Sequence, residues 1–151
     1  MKVKIKKLVP EAVIPKYQTK GAAGFDLIAT SQHTIPPGKM CVVQTGLQIE
    51  VPEGYVMLLK PKSSNAHLIG GGVVDWTYQG EILFKIFNTQ NLPLYIYRAD
   101  AVGQAIIVKN FEPTVEEVPA HEIHKTKTAR GFTGGIVTQI TQFESTGDEV
   151  I

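Results

Sequence analysis

Gly71-Gly72-Val73-Val74-Asp75-Trp76-Thr77-Tyr78-Gln79-Gly80-Glu81 is the stretch around which the chain is organised. It sets a carboxylate two apolar residues after a glycine pair, an aromatic three residues later, and then another glycine. Apolar side chains before it (Leu68, Ile69) and after it (Ile82, Leu83, Phe84, Ile86, Phe87) predict that both ends are fixed in a core. Gly71, Gly72 and Gly80 permit backbone shapes that other residues resist. The stretch therefore reads as a rigid hairpin whose main chain approaches a flat ligand closely. Taken alone, Asp75 reads either as a turn cap, a common role for Asp, or as a functional carboxylate.

Outward from this stretch, the chain reads as short strands. Val3 to Leu8 alternates apolar and Lys, the two-residue period of a half-exposed strand. Gly21 to Ala29 is a small-residue turn leading into an apolar strand. Pro36-Pro37-Gly38 is a turn, followed by a strand from Lys39 to Thr45, Gly46, and a second run from Leu47 to Val51. Pro52-Glu53-Gly54 turns the chain into Tyr55 to Leu59. Beyond the central stretch, strands are predicted at Ile82 to Asn88, Leu94 to Tyr97 and Val102 to Val108. Turn signals at this spacing imply an all-β sandwich or barrel. A weak helical period from Pro113 to His124 contains Pro119 and reads as loop or edge strand. From Lys125 onward the composition shifts to Lys, Thr, Gly, Gln, Ser and Asp. The division expected is a β-sheet domain over 1–124 and a mobile C-terminal arm over 125–151.

The 151 residues suit one domain with its own core. Fifteen Lys and Arg against fourteen Asp and Glu give a net charge of +1, which argues against a basic nucleic-acid binder. The single cysteine, Cys41, excludes an intrachain disulfide and fits a reducing compartment. Lying in Met40-Cys41-Val42-Val43, it reads as a buried small hydrophobe. The basic start, Met1 to Lys7, has no uninterrupted apolar region after it, and no segment approaches membrane-spanning length. A soluble, cytoplasmic protein is expected, or one in an intracellular host compartment if viral.

Several chemistries find no support. There is no Gly-x-x-x-x-Gly-Lys-Ser/Thr loop. Among the histidines (His33, His67, His121, His124) only His121 and His124 lie close, without the second cluster that zinc needs. Ser63 and Ser64 lack the strand-turn-helix setting of a nucleophile elbow. Pro61-Lys62-Ser63-Ser64 offers a cation, two hydroxyls and turn amides within one reach, which suits phosphate as well as an ordinary polar turn.

The order of the pieces is what discriminates. Ala23-Gly24-Phe25-Asp26-Leu27, Pro61-Lys62-Ser63-Ser64, Gly72 to Glu81, Gly103-Gln104, and a Gly/Ser/Thr tail containing Arg130-Gly131 follow one another. The chain resembles the trimeric dUTPase family, whose five motifs occur in this order. The resemblance runs from about Lys4 to Gly147. It implies a jelly-roll subunit, a homotrimer with active sites at subunit interfaces, and hydrolysis of dUTP to dUMP and pyrophosphate with Mg²⁺. Such a reaction limits uracil in DNA and supplies dUMP for dTMP synthesis.

By the same resemblance, Asp75 orients the attacking water, and Tyr78 packs under the deoxyribose with no room for a 2′-hydroxyl. Main-chain groups at Gly72, Val73 and Val74 read uracil. Lys62, Ser63, Ser64 and Gln104 contact phosphates. Asp26 acts on the metal through water, the main ligands coming from the triphosphate. Arg130 reaches the γ-phosphate, and Phe143, with Phe132 as the other candidate, stacks on uracil as the tail closes.

The chain departs from the family pattern at several places. Lys62 stands where arginine is usual and lacks its planar fork. Ala101 stands at an arginine position, with Arg98 three residues upstream. The segment from Asn65 to Gly71 is short and lacks an asparagine that some members use to read uracil. The fifth motif is split between Arg130-Gly131-Phe132-Thr133-Gly134-Gly135 and Phe143-Glu144-Ser145-Thr146-Gly147. Two alternatives follow. One is a non-catalytic, partner-binding member of the fold. The other is a dCTP deaminase relative, disfavoured because Lys85 occupies the position where that family needs a glutamate.

Overall fold

The computed structural model describes residues 1–123, which contain no helix. Accordingly, none of these residues forms a helix long and apolar enough to cross a membrane. Two compact units divide the chain, Met1–Glu112 and Pro113–Ile151. All the strands described here lie in the first. The expected division at 124/125 falls within the second, at the edge of the described residues. In that unit, residues 113–123 form no strand, and a turn closes where Glu122 N–H donates to Pro119 O.

Among the described residues ten strands run in the order β1 (Lys4–Lys7), β2 (Phe25–Ile28), β3 (His33–Ile35), β4 (Met40–Glu50), β5 (Tyr55–Lys60), β6 (Leu68–Ile69), β7 (Gly72–Asp75), β8 (Glu81–Phe87), β9 (Leu94–Ile96) and β10 (Ala101–Lys109). They form two four-stranded sheets, β1-β4-β8-β6 and β2-β10-β5-β7, and a small β3-β9 ribbon. All pairs are antiparallel. This is the expected all-β, jelly-roll-like architecture.

Alternation explains the two layers. Along β8, Ile82, Phe84 and Ile86 are buried while Leu83, Lys85 and Phe87 face outward, as a strand with one covered face requires. They meet Leu27, Met57, Leu59, Val102 and Ala105 of the other sheet in one core. The contact between sheets is tight: a Cβ on Gly103 of β10 would collide with the Phe84 ring of β8. Only glycine lets these layers close to that distance.

Three expectations are corrected. The runs 39–45 and 47–51 are one long strand, β4, interrupted by a bulge where its register with β8 shifts between Gln44 and Gln48. Gly46 sits at that bulge with φ +66°. Its N–H donates to the Glu81 carboxylate (2.8 Å), its carbonyl accepts from Leu8 N–H (2.8 Å), and buried Thr45 donates to Ile82 O (2.6 Å). Bulged main-chain groups that would otherwise be orphaned are thereby paired.

The second correction concerns residues 71–81, which do not form a hairpin. β7 pairs with β5 in one sheet, while β8 pairs with β4 and β6 in the other. The stretch is an arch that carries the chain between layers. Cys41 also differs from expectation. It is half-buried, and its Sγ lies 3.3 Å from His33 Nδ1 and 3.6 Å from Val42 O.

Gly46 offers a quantitative check of the bulge. A Cβ there would lie 2.7 Å from Val9 Cγ2 and 3.0 Å from Ala12 Cβ, whereas at Gly38 (φ +71°) it would meet nothing within 4 Å. Gly38→Ala isolates the left-handed backbone cost, roughly 1 kcal/mol. Gly46→Ala adds overpacking and should lose about 2–4 kcal/mol in total. Urea unfolding of both variants measures the difference, and equal losses would refute the packing role of the bulge.

Candidate active site

Three of the sequence motifs meet on one sheet because of its register. Asp26 on β2 lies opposite Gln104 on β10, and Gln104 lies opposite Lys60 on β5. From the end of β5 the chain enters Pro61-Lys62-Ser63-Ser64. Lys62 Nζ reaches Asp26 Oδ2 at 2.6 Å, with both side chains largely shielded. Gln104 Nε2 donates to Pro61 O at 3.1 Å. Gly24 brings the first motif close: a Cβ there would lie 2.7 Å from Ala105 O and 2.9 Å from Gln104 Oε1.

Asn65, which the sequence reading did not assign, fastens this loop. Its Oδ1 accepts from Lys62 N–H (3.1 Å), its N–H donates to Lys62 O (3.0 Å), and its Nδ2 donates to Ala101 O (3.1 Å). The signal was local: Asn three residues after Lys62 can close a turn through side chain and main chain together. Ser63 and Ser64 are exposed beside it.

A second group surrounds the arch. A cleft of about 330 Å³ is lined by Gly70 to Val74, Tyr78, Leu83 and Lys85, among others. Gly72, Val73, Val74 and Tyr78 thus line one cleft. Leu59 explains the glycine at 72, since a Cβ there would lie 2.6 Å from its Cδ1. The Tyr78 ring lies over Gly80, where a Cβ would come within 2.6 Å of its Cζ. Its hydroxyl donates to Glu81 O at 2.7 Å. The Tyr-x-Gly spacing is thereby a packing requirement.

Asp75 ends β7 and is exposed. Its Oδ1 accepts from Thr77 Oγ1 (2.6 Å) and Thr77 N–H (2.9 Å). The Thr77 hydroxyl first, then the Thr77 main-chain N–H, holds the Asp75 carboxyl below the ordinary aspartate value. Among the described residues Oδ2 accepts no hydrogen bond. Along β5, Asp75 lies opposite Val56 whereas Gln104 lies opposite Lys60. Four strand residues, roughly 13 Å along β5, thus separate Asp75 from Gln104 within one chain, whereas Gly72 lies opposite Leu59, beside Lys60. Arg130, Phe132 and Phe143 lie outside the described residues.

Comparison with known proteins first gives the class. The dUTPase of Staphylococcus bacteriophage 80alpha in complex with dUpNHpp is similar in fold. It has TM-score 0.79 and 22% identity over 90% of this chain and 99% of that one. A mutant dUTPase from phage phi11 of S. aureus, described for its coordination of a structural Mg(II) ion, has TM-score 0.73 and 22% identity over 78% of this chain and 97% of that one. The likeness defines the class of fold, an all-β architecture shared with both phage proteins.

The sequence comparisons are more specific. The dUTPase family model matches residues 10–135. The deoxyuridine 5'-triphosphate nucleotidohydrolase of Nautilia profundicola is 37% identical over 89% of this chain and 97% of that protein. That of Wolinella succinogenes is 36% identical over 89% and 91%. The chain belongs to the dUTPase family.

Two measurements test this geometry. Thr77→Val removes the hydroxyl that most depresses the Asp75 pKa, so the pKa should rise, as followed by NMR titration of the carboxyl carbon. A depressed native pKa contributes stability above the unfolded value and loses it as pH falls through the native one. In the variant that loss should be smaller and complete at higher pH. An unchanged Asp75 titration would dismiss the hydroxyl as its cause. For the half-buried pair, a double-mutant cycle of Lys62→Met with Asp26→Asn should give a coupling of about 1–2 kcal/mol in unfolding free energy, and additive losses would show independent side chains.

Proposed function

We propose that the protein hydrolyses dUTP to dUMP and pyrophosphate, as a homotrimer with active sites shared between subunits. The observation that carries this reading is the glycine-lined cleft at Gly70 to Val74, walled by Tyr78, with Asp75 at the end of the same strand. A flat base fits against exposed main chain, whose N–H and C=O groups at Gly72, Val73 and Val74 read the edge of uracil. The Tyr78 hydroxyl is tied to Glu81 O, so the ring under the deoxyribose is a fixed wall against a 2′-hydroxyl. The activity named for the Nautilia and Wolinella relatives supports the same substrate.

In the reaction, Asp75 orients a water whose oxygen attacks the α-phosphorus. The bond from that phosphorus to the oxygen bridging the β-phosphorus breaks, and pyrophosphate leaves with the bridging oxygen. The water's proton moves toward Asp75 Oδ2 and on to solvent. Because Thr77 keeps Asp75 below its ordinary pKa, the carboxylate is a weak base. Its main contribution is alignment of the water, not storage of the proton.

Lys62, Ser63, Ser64 and Gln104 hold the phosphates. Among the described residues no three His, Cys, Asp or Glu side chains cluster, and Asp26 keeps one carboxylate oxygen beyond its pair with Lys62. Such a donor set fits Mg²⁺ held mainly by phosphates and water, with Asp26 acting through a water. Bound there, Mg²⁺ offsets charge on the triphosphate. The roughly 13 Å between Asp75 and the phosphate group within one chain favours completion of each site by a second subunit. Residues 125–151 then serve as an arm that closes the site, with Arg130 at the γ-phosphate and Phe143 stacked on uracil. A cytoplasmic nucleotide pool is the corresponding location.

Asp75→Asn tests the assignment. Pyrophosphate release should fall by about 10³-fold, while the trimer, by light scattering, and dUTP binding, by calorimetry, persist. Hydrolysis at the parental rate would remove Asp75 from the reaction. In the same assay the parent should prefer dUTP to dCTP, dTTP and UTP, and ammonia release from dCTP would instead mark a deaminase.

A further inference from the structure

Lys85 is a charged side chain that the reading above leaves without a role. It lies on the outward row of β8, between Leu83 and Phe87, and lines the same cleft as Gly70 to Val74. Its stem runs over Gly70, where a Cβ would stand 3.3 Å from Lys85 Cβ and 3.6 Å from Lys85 Cδ. Gly70 N–H donates to Lys85 O at 2.8 Å, which fixes the two backbones against each other. The glycine thus leaves a channel for the lysine beside the cleft.

The other polar side chains lining the cleft are engaged. The Tyr78 hydroxyl donates to Glu81 O, and the Glu81 carboxylate accepts from Gly46 N–H and Gln44 Nε2. The Lys85 ammonium forms no hydrogen bond or ion pair among the described residues. Around it the exposed neighbours are apolar: Leu83 and Phe87 on its own strand, Val42 opposite on β4, and Leu68 on β6. The exposed ammonium is met by water in the free cleft, and its donors are uncommitted to any side chain among the described residues, so they are available to an acceptor on a ligand seated there.

Resting on the proposed uracil cleft, we propose that Lys85 is a base-discriminating residue that donates a hydrogen bond to the O4 carbonyl of uracil. The chemistry is asymmetric. Uracil presents a carbonyl acceptor at that position, whereas cytosine presents an amino group. Two facing donors leave both unpaired, and a site that hydrogen-bonds one base rejects the other more strongly than shape alone does. The lysine thereby adds a side-chain reader to main-chain readout by Gly72 to Val74.

The test compares steady-state hydrolysis of dUTP and dCTP by the parent, Lys85→Met and Lys85→Arg. Lys85→Met keeps the apolar stem and removes the donor. It should raise KM for dUTP by about tenfold or more with kcat unchanged, and lower the dUTP-to-dCTP ratio of kcat/KM by a similar factor. Lys85→Arg, which keeps a donor, should recover most of the preference, a rescue that a purely structural role would not give. An unaltered ratio in Lys85→Met, or equal losses on both substrates, overturns the proposal while the cleft assignment stands. A parent that does not turn over dUTP in preference to dCTP removes the underlying reading instead.

Discussion

Leu59 lies so close to the backbone of Gly72 that no other side chain fits there, and most of the candidate site depends on that approach. β5 is the inner strand that carries both functional groups on its two flanks. Its β10 side sets Gln104 opposite Lys60, and its β7 side sets Gly72 opposite Leu59. A slip of one residue on either side would turn every side chain of the slipped strand to the other face. The Asp26–Lys62–Gln104 group and the cleft are therefore held by one register. Leu59 packs into the core and simultaneously presses the glycine-rich main chain into an open wall.

Asp75 shows why the turn-cap and catalytic readings of one carboxylate need not compete. Its Oδ1 closes the turn through Thr77, as the turn-cap reading expects, and Oδ2 takes no side-chain partner among the described residues. The cap fixes the direction of the second oxygen and keeps the group ionised. A carboxylate that is only a cap would gain little from an adjoining ligand cleft, and a free catalytic carboxylate would lose alignment. In this arch one oxygen holds the geometry and the other is available to water.

How much of this was legible in the sequence follows from the range of the interactions. The strands were readable because alternation and turn chemistry are local: Ile82, Phe84 and Ile86 mark a buried face without reference to any partner. The motifs are readable as an ordered set, whereas the register that brings Asp26, Lys62 and Gln104 to one part of a sheet is a property of strand pairing. The arch reads as a hairpin in the sequence because pairing is non-local. Nothing within Gly72 to Glu81 states that β7 answers to β5 and β8 to β4. The Gly46 bulge was read as a break for the same reason, since Glu81, Leu8 and Thr45 repair it from positions far along the chain. Cys41 looked like a plain hydrophobe because its run is apolar, and His33, which meets its sulfur, lies across a strand connection.

The Lys62–Asp26 pair bears on what the lysine can do in place of an arginine. A guanidinium spreads five donors over a rigid plane that dictates where each acceptor must lie, whereas an ammonium carries three donors around one point. With one donor spent on Asp26 at 2.6 Å, two remain, so contact with the carboxylate and with a phosphate are compatible in one position. The same pairing nearly cancels the charge of this corner, because each partner carries one unit. On the proposed reading, most of the compensation for a triphosphate must then come from elsewhere, which gives Mg²⁺ and Arg130 a larger share than a free arginine at position 62 would leave them. On that reading Lys62 would set where the phosphate chain lies, and the charge that stabilises its cleavage would come from groups other than this pair.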